Sequence, residues 1–248
     1  MKDENASGLR VQRVQAAYRQ VANQLREQII GGALPTGTRL PSEAELCTMF
    51  GVSRSTVREA LRLLASQQLI DTTRGVTGGS FVAAPDAGAV AENLGGTLGL
   101  LVNTNSLSVD NLVEARLMIE PPAARLAAER AGEVDLESLR RTLEQTAQLH
   151  PDKGFVLHWD FHTTLVSVTG NPLLRLMCQP VNSVLRSRLH RERVDPRRWA
   201  EIDADHERIY AAVAGGDGDA AERLTRAHLD ALRPLYERMT EDRPTGSD

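Results

Sequence analysis

Residues 51–70, GVSRSTVREALRLLASQQLI, are the stretch on which the fold reading turns. Ser53 suits a helix N-cap, since its hydroxyl can accept from the backbone N–H groups that a first turn leaves unpaired. Val57, Ala60, Leu61 and Leu64 recur at helical spacing and predict a buried stripe. The opposite face, at the N-terminal end, carries Arg54, Ser55, Thr56 and Arg58. Just upstream, Ser42 opens another helix with Glu45 three residues on, in capping-box spacing. Leu46, Met49 and Phe50 supply its apolar side, and Gly51 suits the left-handed turn that ends it. Further upstream, a helix is expected from Val14 to Ile30, with Val21, Leu25 and Ile29 at four-residue steps and Gly31-Gly32 as its stop. Downstream, LIDTTRGVTGGSFVAAP reads as strand, glycine-rich turn and strand, with Arg74 near the tip of the hairpin.

A short capped helix, a tight turn and a second helix fronted by arginine and hydroxyls predict a helix-turn-helix, followed by a wing. The front of the second helix is the part that enters a major groove. Arginine grips guanine through two parallel hydrogen bonds, while Ser and Thr reach phosphates. Each arginine taken singly would suit a solvated surface; the order of the elements argues against a generic helical domain. The segments LPSEAEL, FGVSRSTVREALRLL and GGSFV resemble the winged-helix domain of the GntR family of bacterial transcription regulators, over residues 14–84. The resemblance implies base contacts from Arg54 and Arg58. It implies backbone contacts from Ser53, Ser55, Thr56, Gly78 and Gly79, and a phosphate approach by Arg39. One position departs from the family pattern: Ala44 stands where many members carry an arginine that contacts DNA, which implies an altered operator preference or weaker binding.

Charge is distributed unevenly. Residues 1–84 carry 10 Lys/Arg and 7 Asp/Glu; the remainder carries 19 and 26, so a basic segment precedes an acidic one within a net of −4. This asymmetry predicts two domains with different partners. The polar opening MKDENASGLR is unlike a secretory signal, and no run approaches the roughly 20 apolar residues of a membrane span. Cys47 and Cys178, far apart, read as small apolar residues in a reducing compartment. The expected location is the cytoplasm, with no membrane partner.

After Val82 no strand-like alternation of any length occurs. A linker with a helix is expected over 85–104. Helical segments follow near 107–131, 135–149, 153–169, 172–191, 197–214 and 217–240, with a kink or restart at Pro121-Pro122. The fold class is therefore mainly α: a winged helix-turn-helix over 14–84, then an all-α bundle over 105–240, with flexible tails at 1–13 and 241–248.

Six histidines remain to be placed. His158 and His162, in FVLHWDFHTTL, stand about 40° apart around a helix and can face inward together, whereas Asp160 points away from both. That pair by itself also suits a satisfied core or surface pair. His206 shares a helix face with Ile202, Ile209 and Val213, and His228 sits among Leu224 and Leu232. Inward imidazoles from different helices of a bundle can converge on one metal. His150 and His190, near helix ends, read as solvated. The pattern FH…GNPLL…H…IYAAV…GD…A…HL resembles the FCD ligand-sensing domain over 107–238, which implies a FadR-type regulator. That domain commonly holds a divalent metal on an aspartate and three histidines. His158 stands in the aspartate's place, and His162, His206 and His228 match the others. A four-imidazole set suits a transition metal, Zn or Ni foremost. The resemblance places Arg116 toward an effector carboxylate; its local alternative is a surface ion pair with Glu120, four residues on. Asn171 reads as a helix cap, and Trp159 and Trp199 as packing residues.

The resulting expectation is a homodimeric regulator, read as a repressor, bound to a palindromic operator in double-stranded DNA and modulated by a small organic-acid effector near the metal. One rival keeps the regulator but makes the metal purely structural. Another is a metal-dependent hydrolase or lyase fused to a DNA-binding module. Against that enzyme, Asp205 and Glu207 diverge from His206 on their helix, and no nucleophile constellation is present.

Overall fold

The computed structural model describes residues 16–75, 78–148, 154–188 and 196–241; the side chains of 145–159, 188, 196 and 237–241 lie outside that description. The chain divides into two compact units, Met1–Asp86 and Ala87–Asp248. Among the described residues, no helix is long and apolar enough to cross a membrane.

The first unit has three helices, α1 (Ala17–Ile30), α2 (Glu43–Phe50) and α3 (Arg54–Ser66), then strands β1 (Ile70–Thr73) and β2 (Gly79–Val82). The local signals operate as expected. Ser42 and Glu45 form a reciprocal capping box, Gly51 ends α2 at φ 65°, and Ser53 caps α3 by accepting from Thr56 N. Val21 and Leu25 of α1, Leu46 of α2 and Val57, Ala60 and Leu64 of α3 meet Ile70 and Val82 of the strands in one apolar core. Met49, expected on the apolar side of α2, is 69% exposed instead. The wing is an antiparallel pair in which Ile70 faces Val82 and Thr73 faces Gly79. The connector before α2 is more than a turn: Gly37 N donates to Val82 O, Val82 N to Thr38 O and Leu40 N to Ser80 O, so it lies along the free edge of β2 and pairs with it through a single antiparallel bridge, Arg39 to Phe81.

The second unit contains α4 (Ala87–Asn103), α5 (Val109–Arg130), α6 (Glu133–Gln148), α7 (Gly154–Val168), α8 (Pro172–Arg188), α9 (Pro196–Ala214) and α10 (Gly218–Glu241). Helix α4, read from sequence as a linker helix, packs on α8 within this unit. The long helix α5 packs against α10, α7, α8 and α9 and forms the centre of the bundle. It runs through Pro121 and Pro122 without the expected restart. Its buried positions on both sides of the prolines, among them Val113, Ala124 and Ala127, anchor it to its neighbours, and that packing outweighs the two missing N–H donors. Asn171 Oδ1 accepts from Leu173 N and so caps α8. Trp199 packs against the core of the unit. Both cysteines are free, Cys178 buried and Cys47 half-buried.

Candidate functional sites

In the first unit the front of α3 is a hydroxyl cluster with arginines beside it. Ser53 Oγ lies 2.8 Å from both Ser55 Oγ and Thr56 Oγ1, in addition to capping the helix. Arg54, Ser55 and Arg58 are exposed, and Thr56 is half-buried. Arg54 has no side-chain partner among the described residues. Arg58 is held: its Nε donates to both carboxylate oxygens of Glu43 on α2, at 3.1 and 2.9 Å. Arg39, expected near phosphate, donates from Nη2 to Gly78 O across 2.6 Å and so ties the connector to the wing. Gly78 is required by close approach, since a Cβ there would lie 2.5 Å from Thr73 O; at Gly79 a Cβ would lie 2.9 Å from Arg39 Nε. Arg39, Arg58, Arg62 and Arg74 line one groove between α3 and the wing, together with Glu43 and Glu45. Sequence reading missed Arg62, although its four-residue spacing from Arg58 was a usable signal. It also missed Glu43, fifteen residues from its partner.

In the second unit three of the expected histidines converge. His162 of α7, His206 of α9 and His228 of α10 are all buried. The Nε2–Nε2 distances are 3.3 Å from His206 to His162, 3.3 Å from His206 to His228 and 3.4 Å from His228 to His162. Phe161 stacks on the His206 ring at 4.1 Å. His158, the expected fourth ligand, has its side chain outside the described residues, as do His150 and His190. Asp160 is half-buried, and burial raises its carboxyl pKa.

Carboxylates set the orientation of two rings. His162 Nδ1 lies 2.8 Å from Glu120 Oε2, and His228 Nδ1 lies 3.1 Å from Asp205 Oδ2. A proton on each Nδ1 faces its carboxylate, hydrogen-bonded in His228 and in close contact in His162, and leaves both Nε2 atoms as lone pairs. His206 Nε2 can donate to only one of them. No set of neutral tautomers therefore satisfies all three Nε2 contacts, whereas one cation accepts all three lone pairs. The spacing fits as well: a tetrahedron with metal–nitrogen bonds of ~2.0–2.1 Å has edges of about 3.3–3.4 Å. These residues could hold a metal ion.

Protonation agrees with a lone-pair site. Burial lowers the His162 pKa from 6.5 to about 4, against the pull of Glu120, and burial likewise lowers that of His228, against Asp205. Burial pushes the Glu120 carboxyl up, but Arg116 and His162 together hold it well below the usual carboxylate range. The hydrogen bond from His228 holds Asp205 low as well. Arg116 does pair with Glu120, at 2.7 and 3.1 Å, but both side chains are fully buried, so this is not the surface pair that spacing alone suggested. Arg116 Nη1 also donates to Tyr236 Oη, and Cys178 Sγ lies 3.4 Å from Glu120 Oε1. Nearby in this network, Asn182 Nδ2 reaches Cys178, while its buried Oδ1 has no hydrogen-bond partner among the described residues. Asp205 does diverge from His206, as helix geometry requires, and reaches His228 on α10 instead.

Comparison with known proteins assigns a family to each unit. Residues 17–82 match the model for bacterial regulatory proteins of the gntR family, and residues 111–231 match that for the FCD domain. The HTH-type transcriptional regulator LutR of Bacillus subtilis (strain 168) is 31% identical over 223 residues, spanning 84% of this chain and 98% of its own length. A putative L-lactate dehydrogenase operon regulatory protein of Escherichia coli (strain K12) is 29% identical over 227 residues, spanning 90% and 87%. A solved GntR structure from Streptococcus agalactiae superposes with a TM-score of 0.58 at 25% identity, covering 88% of this chain and 99% of that one. These proteins are regulators rather than enzymes, and the chain itself belongs to the GntR family of bacterial DNA-binding transcription regulators, with an FCD domain following its winged helix.

Proposed function

We propose that this regulator acts as a homodimeric repressor on a palindromic operator. Two-fold symmetry in the protein is mirrored by two half-sites in the DNA. Arg54 and Arg58 read bases, and Ser53, Ser55 and Thr56 hold phosphates. The wing, through Gly78, Gly79 and Arg74, meets the adjacent backbone, and Arg39 holds the wing in place. The second unit carries a divalent transition metal, zinc or nickel, on His162, His206 and His228, and a small organic acid is its effector.

The observation that carries the sensing role is the imidazole triangle with its imbalance of charge. A divalent ion and Arg116 bring three positive charges; Glu120 and Asp205 return two negative ones. A buried site left positive favours an anionic ligand. A bound ion would supply a Lewis-acidic point for a carboxylate oxygen. Arg116 adds positive charge from α5, and Asn182 Oδ1, without a hydrogen-bond partner among the described residues, is an acceptor suited to a ligand hydroxyl. A relative named for an L-lactate dehydrogenase operon supports the same class of effector. Effector binding shifts operator affinity only through different affinities for two arrangements of the protein, typically by about 5- to 150-fold.

The test is metal analysis of the purified protein and of His206→Ala, with a thermal-shift screen of L-lactate and other small organic acids on the zinc-loaded form. Stoichiometric metal that is lost in the variant, and a melting shift with an acid, are expected. A protein that takes up neither zinc nor nickel would overturn the metal reading. A loaded protein that responds to no acid in binding or in operator affinity would leave the metal as a structural element.

A further inference from the structure

We propose that Glu43 is the positioning residue that presents Arg58 to a base, and so helps to set operator specificity. The inference rests on the groove reading of Arg58 given above and deepens it. Arg58 Nε donates to both oxygens of Glu43, across the turn that joins α2 to α3. The contact uses the Nε edge of the guanidinium. Among the described residues, the two terminal nitrogens of Arg58 have no hydrogen-bond partner. Guanine is gripped through O6 and N7 by two parallel N–H donors. With Nε engaged, the terminal nitrogens are the donor pair that remains, and the Glu43 contact fixes the plane in which they lie.

Stability does not explain the pair. Its side chains are 58% and 41% exposed, and ion pairs at such exposure add little to a fold. Orientation does explain it. A free arginine gives up side-chain freedom when it grips a base, whereas an arginine already held gives up less. Arg54, four residues earlier on the same helix, has no such support. Glu43 also lines the groove that Arg39, Arg58, Arg62 and Arg74 make basic. Its negative charge there repels phosphate whatever the sequence. Glu43 therefore lowers affinity for DNA in general while sharpening the choice of base, and these two effects have opposite signs.

The test uses the full chain and a randomised duplex library, with bound and free fractions sequenced for wild type, Glu43→Ala, Arg58→Ala and the double variant. Binding to one fixed unrelated duplex is titrated over a range of salt, and a thermal melt is recorded for each protein. Glu43→Ala is expected to flatten base preference about 3- to 10-fold at the positions that Arg58→Ala flattens, a fraction of the roughly 5- to 150-fold for losing the arginine. Its affinity for the unrelated duplex should rise about 2- to 5-fold at low salt. The double variant should match Arg58→Ala in preference. An unchanged preference profile in Glu43→Ala, with Arg58→Ala relaxed, would overturn the positioning role alone. Weaker binding to every sequence with a lowered melting temperature would also overturn it, in favour of a merely structural tie. If Arg58→Ala itself kept the wild-type profile, the groove reading would fall and this inference with it.

Discussion

Replacing Glu120 with alanine tests the buried network most directly. The carboxylate accepts from Arg116 at 2.7 and 3.1 Å, faces His162 Nδ1 at 2.8 Å and is completely buried. Its removal leaves the Arg116 guanidinium in the core with Tyr236 Oη as its remaining partner among the contacts described above. Breaking a buried pair in this way costs about 3–5 kcal/mol, because one charge stays buried after its counter-charge is removed. For a unit of this size that lowers the melting temperature by roughly 6–20 °C. Metal affinity should fall about 10- to 100-fold as well, since His162 loses the group that fixes its tautomer and ring orientation. Calorimetry and competition with a chromogenic chelator measure the two effects. A paired change, Arg116→Met with Glu120→Leu, separates them: removing both charges should restore most of the stability while metal affinity stays low. If Glu120→Ala melted within about 2 °C of wild type, the buried ion pair would not exist as described.

Arg54→Ala should relax base preference at its contact by about 5- to 150-fold without lowering the melting temperature, read by selection from a duplex library; an unchanged preference would remove Arg54 from the groove. Stripping metal with a chelator should lower the melting temperature of the second unit by about 5–10 °C if the ion had been present at roughly 100 times its Kd, and His206→Ala should show no such response. In the metal-free protein the second unit should lose stability as pH falls from about 6.5 toward 4. His162, facing Glu120 and Arg116 of α5, His206 of α9 and His228 of α10, refuses a proton that the unfolded chain accepts across that window. Melting temperatures that stayed flat or rose between pH 7 and pH 5 would contradict that burial.

Much of the first unit was legible because its signals are local. A capping box spans three residues, a left-handed turn needs one glycine, and a buried stripe repeats within one helix. The same holds for the inward placement of His162, His206 and His228, each of which shares an apolar face with residues three or four positions away. Pro121-Pro122 shows the limit of such signals. A local rule predicted a kink or a restart, and packing along the whole of α5 carries the helix through without the restart. Met49 misled in the same way, since periodicity places a residue on a face without saying whether a neighbour covers it.

Sequence by itself determined which segments are helices, where they are capped, that an arginine-bearing helix is followed by a hairpin, and that several imidazoles face a helical core. Only the tertiary structure decided that Glu120 meets His162, that Asp205 turns to His228 rather than toward its neighbour His206, that the Arg116–Glu120 pair is buried, and that Glu43 holds Arg58. The physical reason is the range of the interactions. Caps and periodicity depend on residues within one or two turns, whereas most of these contacts depend on the rotation and offset of one helix against another. Even the i,i+4 pair of Arg116 and Glu120 shows the limit: its spacing was visible, but its burial came from the helices packed around it.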